Sequence, residues 1–278
     1  MPKQCQMKKN LKPEIDTILI GDCVEHLRQL PENTADLIVA DPPYNLDKDF
    51  GEWKEISRKN EWLDWSKQWL NECHRVLKPG GNIFVYGIHH HLCWIQCHMY
   101  TLGLDYRRQI IWHYENGFAG YTKSLAAHYE PLLWFSKGKP YTYHPIREPY
   151  KSAERLKHKI TKNGKIWEPH PEGRLAGDVW KFPVLAGRRF AAEKVDHPTQ
   201  KPLSISNRIV NHFSSPGELV VVPFAGSGSE CVAAKSLGRH FLGFELNANY
   251  IEIAVSRLEQ TKFGSLLREE KIPSNGEV

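Results

Sequence analysis

Long apolar runs, paired cysteines and a large charge imbalance are all missing from this chain of 278 residues. No apolar stretch approaches the ~20 residues that cross a bilayer, and the first residues are basic and polar, unlike a signal peptide. Six cysteines are scattered without a regular spacing: Cys5, Cys23, Cys73, Cys93, Cys97 and Cys231. That pattern excludes a disulfide framework and suits a reducing compartment. We therefore expect a cytoplasmic protein with no membrane partner.

A metal-binding cluster is missing as well. Residues 89–98 contain four histidines and two cysteines, but no second set of ligands stands elsewhere at zinc spacing. Apolar Leu92, Trp94 and Ile95 are interleaved with them, so we predict a helix with a polar face and expect no metal. The net charge of +5 is modest, and it permits a nucleic-acid partner without requiring one.

Short β-branched runs alternate with amphipathic segments along most of the chain. The predicted strands are residues 15–20, 36–40, 82–87, 106–114, 131–136, 218–222 and 239–245. The predicted helices are residues 23–30, 61–77, 230–237 and 248–260, with another that ends at residue 213. This alternation predicts an α/β fold.

The segment Asp41-Pro42-Pro43-Tyr44 ends the second predicted strand on a carboxylate, two prolines and an aromatic ring. Two prolines cannot continue a sheet, and they hold the backbone stiff. Asp41 and the carbonyl of Pro42 offer two acceptors, and Tyr44 offers a flat ring for stacking. This set suits a nucleobase with an exocyclic amine, although an acidic turn beside a buried tyrosine would give the same pattern.

A glycine-rich turn, residues 223–229, stands between a β-branched strand and a helix. Gly226 and Gly228 let the backbone approach a ligand, and the helix directs its positive amino-terminal end at that ligand. The next strand ends on Glu245, where a carboxylate can bind both hydroxyls of a ribose. The turn lacks the Gly-x-Gly-x-x-Gly pattern, which disfavours a dinucleotide and favours another adenosine-bearing cofactor.

Four stretches in a fixed order carry a family resemblance that spans nearly the whole chain, from about residue 15 to residue 258. They are Gly21-Asp22, Asp41-Pro42-Pro43-Tyr44, His197-Pro198-Thr199-Gln200-Lys201-Pro202 and Pro223-Phe224-Ala225-Gly226-Ser227-Gly228. The chain resembles the S-adenosylmethionine-dependent amino-methyltransferases of DNA, in the permuted β class that places the catalytic stretch before the cofactor turn. The resemblance implies a Rossmann-like fold, with a mixed, mostly parallel sheet, helices on both faces and a circularly permuted motif order.

The resemblance also implies roles for the matching residues. The catalytic residues that hold and stack a base flipped out of double-stranded DNA would be Asp41, Pro42, Pro43 and Tyr44. The cofactor S-adenosylmethionine, whose product is S-adenosylhomocysteine, would contact Asp22, Cys23, Asp41, Thr199, Gln200, Lys201, Pro223, Phe224, Ala225, Gly226, Ser227, Gly228, Ser229, Glu245 and Leu246. In this set Asp22 and Cys23 would hold adenine, although an aspartate at that position is more commonly a helix N-cap. Lys201 would lie near the methionine carboxylate, and Glu245 would hold the ribose.

Two positions depart from the family pattern. Val222 stands where the family usually has an aspartate before Pro-Phe, so Asp41 alone would serve the ammonium group of the cofactor, with weaker binding. Ser229-Glu230 stands where two threonines are common, which is tolerable because serine still caps a helix.

Residues 138–196 are rich in basic and aromatic residues and poor in apolar periodicity, which favours a nucleic-acid surface over a solvated insertion. Together with the loop at 116–127 they supply the DNA-binding candidates Tyr121, Lys123, Lys151, Arg155, Lys162, Arg188 and Arg189. We expect a flexible amino terminus (1–14), a catalytic half (15–137), an inserted target-recognition region (138–196), a cofactor-binding half (197–262) and a polar tail (263–278).

The expected activity is site-specific methylation of adenine N6, because in this family Asp-Pro-Pro-Tyr accompanies mostly adenine and Ser-Pro-Pro-Tyr accompanies cytosine. Methylation of cytosine N4 is the second hypothesis, and a DNA-binding relic without activity is the third. Further expectations are a restriction-modification or similar prokaryotic or phage system, a partner endonuclease, a homodimer and association with the nucleoid.

Overall fold

The computed structural model describes residues 14–44, 49–50, 53–54, 59–87, 91–116 and 125–265, and the candidates Tyr121 and Lys123 lie outside these ranges. The strands are β1 (Thr17–Ile20), β2 (Ala35–Ala40), β3 (Asp49–Phe50), β4 (Trp53–Lys54), β5 (Leu77–Tyr86), β6 (Asp105–His113), β7 (Tyr129–Ser136), β8 (Arg147–Glu148), β9 (Ile160–Lys162), β10 (Lys165–Trp167), β11 (Arg174–Leu175), β12 (Val179–Lys181), β13 (Leu219–Val222) and β14 (His240–Glu245). The helices are α1 (Cys23–Gln29), α2 (Lys59–Val76), α3 (Leu92–Thr101), α4 (Leu203–Phe213), α5 (Ser229–Ser236) and α6 (Ala248–Gln260). Short 3-10 turns cover Ala153–Lys157 and Arg188–Phe190.

Eight strands form one mixed sheet in the order β1-β14-β13-β2-β5-β7-β6-β12. The strands from β1 through β5 in this order run parallel, β7 is antiparallel to both of its neighbours, and β12 is parallel to β6. Helices α4, α5 and α6 contribute to one apolar core, and α1, α2 and α3 contribute to the other. This architecture confirms the predicted Rossmann-like fold with helices on both faces.

The central strands are buried on both faces, so successive side chains enter opposite cores. In β2, Leu37 and Val39 belong to the core with α4, α5 and α6, whereas Ile38 and Ala40 belong to the other core. All four are at most 1% exposed, which explains the uninterrupted apolar run in the sequence. Within the described ranges, no helix has the length and apolar composition needed to cross a bilayer.

The predicted start of β5 at residue 82 is wrong. The strand begins at Leu77, so residues 78–81 continue it instead of separating it from α2. Gly80 permits this path because its φ of +83° is a conformation that glycine adopts without strain, and its N–H donates to Lys137 O (2.7 Å). Helix α2 does end here, at Val76, one residue before the predicted limit, and the proline and glycines that follow lie within an irregular strand.

The predicted helix at 89–98 is displaced by three residues, and its first two histidines lie outside the described residues. Helix α3 begins at Leu92 and ends at Thr101. The buried side chains of Leu92, Ile95 and Met99 recur at helical spacing, so the apolar face decides the limits of the helix and the histidine cluster does not.

The region 138–196 contributes a strand to the central sheet. In β12, Trp180 pairs with Trp112 of β6 and is 3% exposed. The remainder of the region forms two small antiparallel pairs, β8 with β11 and β9 with β10. The sequence shows little periodicity here because a three-residue edge strand buries a single side chain, and that is too short to produce an alternating pattern.

The side chain of Asn82, in β5, forms hydrogen bonds with three other segments of the chain. Its side chain is fully buried, and its Nδ2 donates to the carbonyls of Thr142 (2.7 Å) and Phe213 (3.2 Å). Its Oδ1 accepts a hydrogen bond from Trp134 Nε1 (2.9 Å). One amide thereby satisfies three buried polar groups from three separate segments.

We expect Asn82→Ala to lower the free energy of unfolding by about 3 kcal/mol, because it leaves two carbonyls and an indole N–H buried without partners. Urea denaturation measures this change. The matched control is Gln68→Ala on the exposed face of α2, which should shift the free energy by less than ~0.5 kcal/mol. Equal urea midpoints for the two variants would contradict the role of Asn82.

Candidate active site

The carboxyl ends of four parallel strands meet at one edge of the sheet and carry polar residues singled out in the sequence. Asp22 follows β1, Asp41 follows β2, and Glu245 is the last residue of β14. The glycine-rich turn begins at Pro223, directly after β13. Ligands bind at this edge in open α/β sheets, and a cavity of about 980 Å³ lies there. We call it the first cavity.

Nearly all the predicted catalytic and cofactor residues line the first cavity. They are Asp22, Cys23, Asp41, Pro42, Pro43, Tyr44, Thr199, Gln200, Lys201, Pro223, Phe224, Ala225, Gly226, Ser227, Ser229, Glu245 and Leu246. Gly228 does not contribute to this lining. It has φ +78°, and a Cβ there would lie 2.8 Å from Ala254 Cβ, so it allows close packing of α5 against α6.

The cavity also contains residues to which the sequence analysis assigned no role: Gly21, Trp65, His197, Glu230, Phe244, Asn247 and Tyr250. Two of them could have been identified from the sequence, since His197 opens a family motif and Glu230 is a departure from the family pattern. Trp65 carried only the helical spacing of a core residue, and it contacts Phe224 with ring centroids 5.6 Å apart.

Asp41 is the centre of the buried polar network. Its Oδ1 accepts a hydrogen bond from Tyr44 Oη (2.5 Å), and its Oδ2 accepts one from Lys201 Nζ (2.7 Å). Lys201 is only 5% exposed, and its Nζ also lies 3.6 Å from Glu130 Oε2. Burial alone would lower the pKa of Lys201, but the carboxylates of Asp41 and Glu130 raise it above its usual value. Lys201 is therefore a charged anchor for two carboxylates.

The two prolines are held between the sheet and α2. The carbonyl of Pro43 accepts a hydrogen bond from Trp62 Nε1 (2.9 Å), and Trp62 is itself buried. Because φ is fixed at each proline, this bond leaves the segment little freedom. The carboxylate of Asp41 and the ring of Tyr44 are thus presented on a rigid support.

Of two further carboxylates in the first cavity, Glu245 is half-buried and Glu230 is buried. Glu245 Oε2 accepts from Gly226 N (2.8 Å) and its Oε1 accepts from Asn247 N (2.9 Å), while burial raises its pKa. Glu230 is 4% exposed and its Oε1 accepts from Ser206 Oγ (3.0 Å). Burial, and then the charge of Asp41, raise the pKa of Glu230.

The sequence left two placements open for Asp22, a helix N-cap and a residue beside a ligand site, and the structure shows it as an N-cap that also lies beside the cavity. It is the N-cap of α1, with Oδ1 accepting from Val24 N (2.8 Å) and Glu25 N (3.2 Å). It also lines the first cavity at the end of β1. One carboxylate oxygen therefore fixes the helix, and the side chain remains beside the cavity.

His197 packs on the glycine-rich turn. Its ring lies edge-on to Tyr250, with centroids 4.4 Å apart, and a Cβ on Gly226 would lie 2.8 Å from its Nε2. Burial lowers the pKa of His197 to about 4, with further contributions from neighbouring charges. The ring is therefore neutral at pH 7, and glycine at position 226 is required by its proximity.

A second cavity of about 1220 Å³ adjoins the first. Tyr44, Lys201 and His197 line both cavities. Glu130, Trp112 and residues 184–186 line the second cavity alone. Tyr44 and Lys201 thus stand where the two cavities meet, and both bind Asp41, which lines the first cavity. Two adjoining cavities are the arrangement required for transfer of a group between two ligands.

The basic candidates of 138–196 lie on the outside of this region of the fold. Lys151, Lys162, Arg188 and Arg189 are exposed, and Arg155 is half-buried, with its guanidinium 5.7 Å from the ring centroid of Tyr150. Arg188 and Arg189 follow the residues that line the second cavity, and Lys162 ends β9 of a small hairpin. In the part of the chain that the structure describes, no group of three or more histidine, cysteine, aspartate or glutamate residues could hold a metal ion.

Comparison with known proteins gives a consistent family match. Residues 35–256 match the family model described as DNA methylase, which groups N6 and N4 methyltransferases. The type II methyltransferase M1.MboII of Moraxella bovis is 33% identical over 256 residues, which cover 89% of this chain and 98% of that protein. DNA adenine methyltransferase YhdJ of Escherichia coli strain K12 is 34% identical over 253 residues, which cover 88% of this chain and 83% of that protein.

Solved structures give the same architecture. The complex of M1.HpyAVI with SAM superimposes with a TM-score of 0.61 at 22% identity, covering 87% of this chain and 98% of that chain. The cytosine-N4-specific PvuII DNA methyltransferase has a TM-score of 0.64 at 17% identity, covering 86% of this chain and 85% of that chain. At these identities the likeness shows the fold.

The lowered pKa of His197 makes stability depend on pH. Between pH 6.5 and about 4 the unfolded histidine takes up a proton and the folded one does not, so this contribution to stability is complete above pH 6.5 and is lost on acidification. Asp41 and Asp196 oppose the shift, and Lys201 and Arg257 reinforce it. We expect His197 to account for about 2 kcal/mol of the loss.

Urea denaturation at pH 6.5, 5.5 and 4.5 measures this contribution. His197→Gln should show a weaker decline on acidification than the wild type. The matched control is His158→Gln, at an exposed position, which should keep the wild-type decline. The same pH dependence in both variants would be inconsistent with a neutral buried His197.

Proposed function

The chain belongs to the DNA methylase family, and we propose that it transfers the methyl group of S-adenosylmethionine to the N6 amino group of adenine in double-stranded DNA. The observation that carries this proposal is the junction of two cavities at Tyr44 and Lys201, which both bind Asp41 in the first cavity. The relative YhdJ is named a DNA adenine methyltransferase, which supports adenine as the target.

The residues of the first cavity fit S-adenosylmethionine. Each oxygen of Glu245 accepts one backbone N–H and retains a lone pair for a ribose hydroxyl. Phe224 and Trp65 provide apolar contact, and the turn at Gly226 lets the backbone approach the cofactor. When bound, the cofactor supplies an electrophilic methyl group on a sulfonium.

The second cavity suits a base that has been extruded from the duplex. Tyr44, Trp112 and Tyr250 are aromatic residues in its wall, and Tyr44 would stack on the base. The amino group of the base would donate hydrogen bonds to Asp41 and to the carbonyl of Pro42. Both acceptors belong to the rigid segment that Trp62 fixes, so the amine is oriented before the reaction.

Catalysis by this chain is chiefly positioning. Tyr44 and Lys201 hold the two oxygens of Asp41, so the carboxylate cannot rotate away from the amine. Hydrogen bonding at Asp41 keeps the nitrogen lone pair directed at the methyl carbon. A carbon–nitrogen bond forms in line as the carbon–sulfur bond breaks, and the proton of the amine leaves to solvent. A cysteine nucleophile is not required for attack by an amine.

The biological setting belongs to the same proposal. The relative M1.MboII is named a type II methyltransferase, which supports a restriction-modification or similar system of prokaryotes or phages. A partner endonuclease, a homodimer and association with the nucleoid through DNA are further parts of the proposal. The basic residues of 138–196 are proposed to contact the duplex.

Incubation with labelled S-adenosylmethionine and mixed-sequence duplex DNA, followed by digestion and mass analysis of the nucleosides, tests the reaction. We expect N6-methyldeoxyadenosine. N4-methyldeoxycytidine would keep the mechanism and replace the base, which is relevant because the PvuII enzyme has the same fold. Absence of label together with absence of cofactor binding would favour the DNA-binding relic.

In that assay Asp41→Ala should reduce the rate of methyl transfer at least about 100- to 1,000-fold. The fold should persist because Glu130, 3.6 Å from Lys201, still offers the buried lysine a counter-charge. Thermal melting checks the fold. The matched control, Asp64→Ala, removes an exposed carboxylate from α2 and should retain wild-type activity. A folded and active Asp41→Ala variant would refute the catalytic assignment.

Lys162→Ala and Arg188→Ala should each weaken binding to duplex DNA by a similar factor for all sequences. Each should also reduce the slope of log affinity against log salt concentration by about 1. Fluorescence anisotropy at several salt concentrations measures both effects. Lys67→Ala, at an exposed lysine of α2, is the control and should leave the slope unchanged. Slopes equal to that of the wild type in both test variants would remove these residues from the DNA interface.

A further inference from the structure

Four carboxylates line the first cavity. For three of them, hydrogen bonds or an ion pair within the chain explain the position of the side chain. Asp22 accepts two backbone N–H groups at the start of α1. Asp41 is bound by Tyr44 and Lys201. Glu245 accepts a backbone N–H on each of its oxygens. The fourth carboxylate is Glu230, in the first turn of α5.

Glu230 is buried without a counter-charge of its own. Its side-chain partner is the neutral hydroxyl of Ser206, 3.0 Å from Oε1. The Nζ of Lys201 pairs with Asp41 at 2.7 Å and with Glu130 at 3.6 Å. Among the described residues no cation forms an ion pair with Glu230, and the charges of Lys201 and Arg257 act on it from a longer distance. A buried carboxylate is costly unless a positive group or several hydrogen bonds compensate it.

The polar groups around Glu230 are also incompletely satisfied. The hydroxyl of Tyr86 is buried and has no hydrogen-bond partner among the described residues. Burial, and then the charge of Glu230, raise the pKa of Tyr86. Asp41 and Glu130 are the carboxylates within 4 Å of the Lys201 ammonium, so Glu230 lies beside a ligand cavity without a direct ion pair among the described residues.

The missing positive charge matches one group of the cofactor. The amino-acid end of S-adenosylmethionine carries an α-ammonium group with three N–H donors and a compact charge. The acid that the family resemblance led us to expect before Pro223 is absent, because Val222 is apolar and 1% exposed in the core. Glu230 is the second residue of α5, the helix that follows the same turn, and it lines the cavity.

We propose that Glu230 binds the α-ammonium group of S-adenosylmethionine and replaces the carboxylate that position 222 does not provide. This inference rests on the proposed function, since it assigns a cofactor contact within the same cavity. It also changes the expectation that Asp41 alone would serve the ammonium group. Asp41 can then orient the target amine, because the ammonium group is bound by Glu230. Lys201 remains paired with Asp41.

Isothermal titration calorimetry with two ligands tests this contact. S-adenosylhomocysteine carries the α-ammonium group, and its deaminated analogue keeps the adenosine, the thioether and the carboxylate but lacks that group. Glu230→Gln preserves the shape and the hydrogen bond with Ser206 while removing the charge. We expect it to weaken binding of S-adenosylhomocysteine about 10- to 100-fold and to change binding of the analogue less than about twofold. Glu252→Gln, at an exposed position of α6, is the matched control and should change neither.

The outcomes separate this inference from the proposed function. Unchanged binding of S-adenosylhomocysteine to Glu230→Gln, or an equal loss for both ligands, would overturn the role of Glu230. Failure of the wild type to bind either ligand would instead count against the proposed function. If Glu230→Gln does not fold, Glu230→Asp retains the charge with a shorter reach, and it should weaken S-adenosylhomocysteine binding more than binding of the analogue.

Discussion

The ion pair between Lys201 and Asp41, with 2.7 Å between Nζ and Oδ2, joins parts of the chain that are 160 residues apart. It is buried, so its geometry must be nearly complete for the charges to be tolerated. Tyr44 binds the other oxygen of Asp41, and Glu130 lies on the other side of Lys201. The two cavities meet at Lys201 and Tyr44, and both of these residues bind Asp41, which lines the first cavity.

The parallel sheet makes this pair possible. β13 lies between β14 and β2 in the sheet, although β2 precedes both by most of the length of the chain. Because parallel strands end at one edge, Asp41 after β2 and the glycine-rich turn after β13 become neighbours. The antiparallel β7 contributes Glu130 to the same region, so the mixed part of the sheet also supplies a carboxylate to the site.

One buried carboxylate of the site, Glu230, has no direct ion pair among the described residues. Such a carboxylate is intelligible in a protein that binds a cationic cofactor, because the ligand supplies a positive group on binding. Glu230 is the group for which this matters most, since a serine hydroxyl is its side-chain partner. A departure from the family pattern that looked tolerable as a helix cap thus acquires a chemical role once its burial and neighbours are known.

Local patterns in the sequence were enough to predict the fold class, the Asp41-to-Tyr44 motif and the glycine-rich turn. Examples of such patterns are the apolar run of β2 and the glycines at 226 and 228. The sequence could not determine that Gly80 lies within a strand or that Trp180 adds a strand to the sheet, because both depend on pairing with distant segments. It also could not show that Lys201 contacts Asp41, or that Glu230 lacks a counter-charge. Those facts are decided by burial and by distances between residues remote in sequence, and only the tertiary structure fixes them.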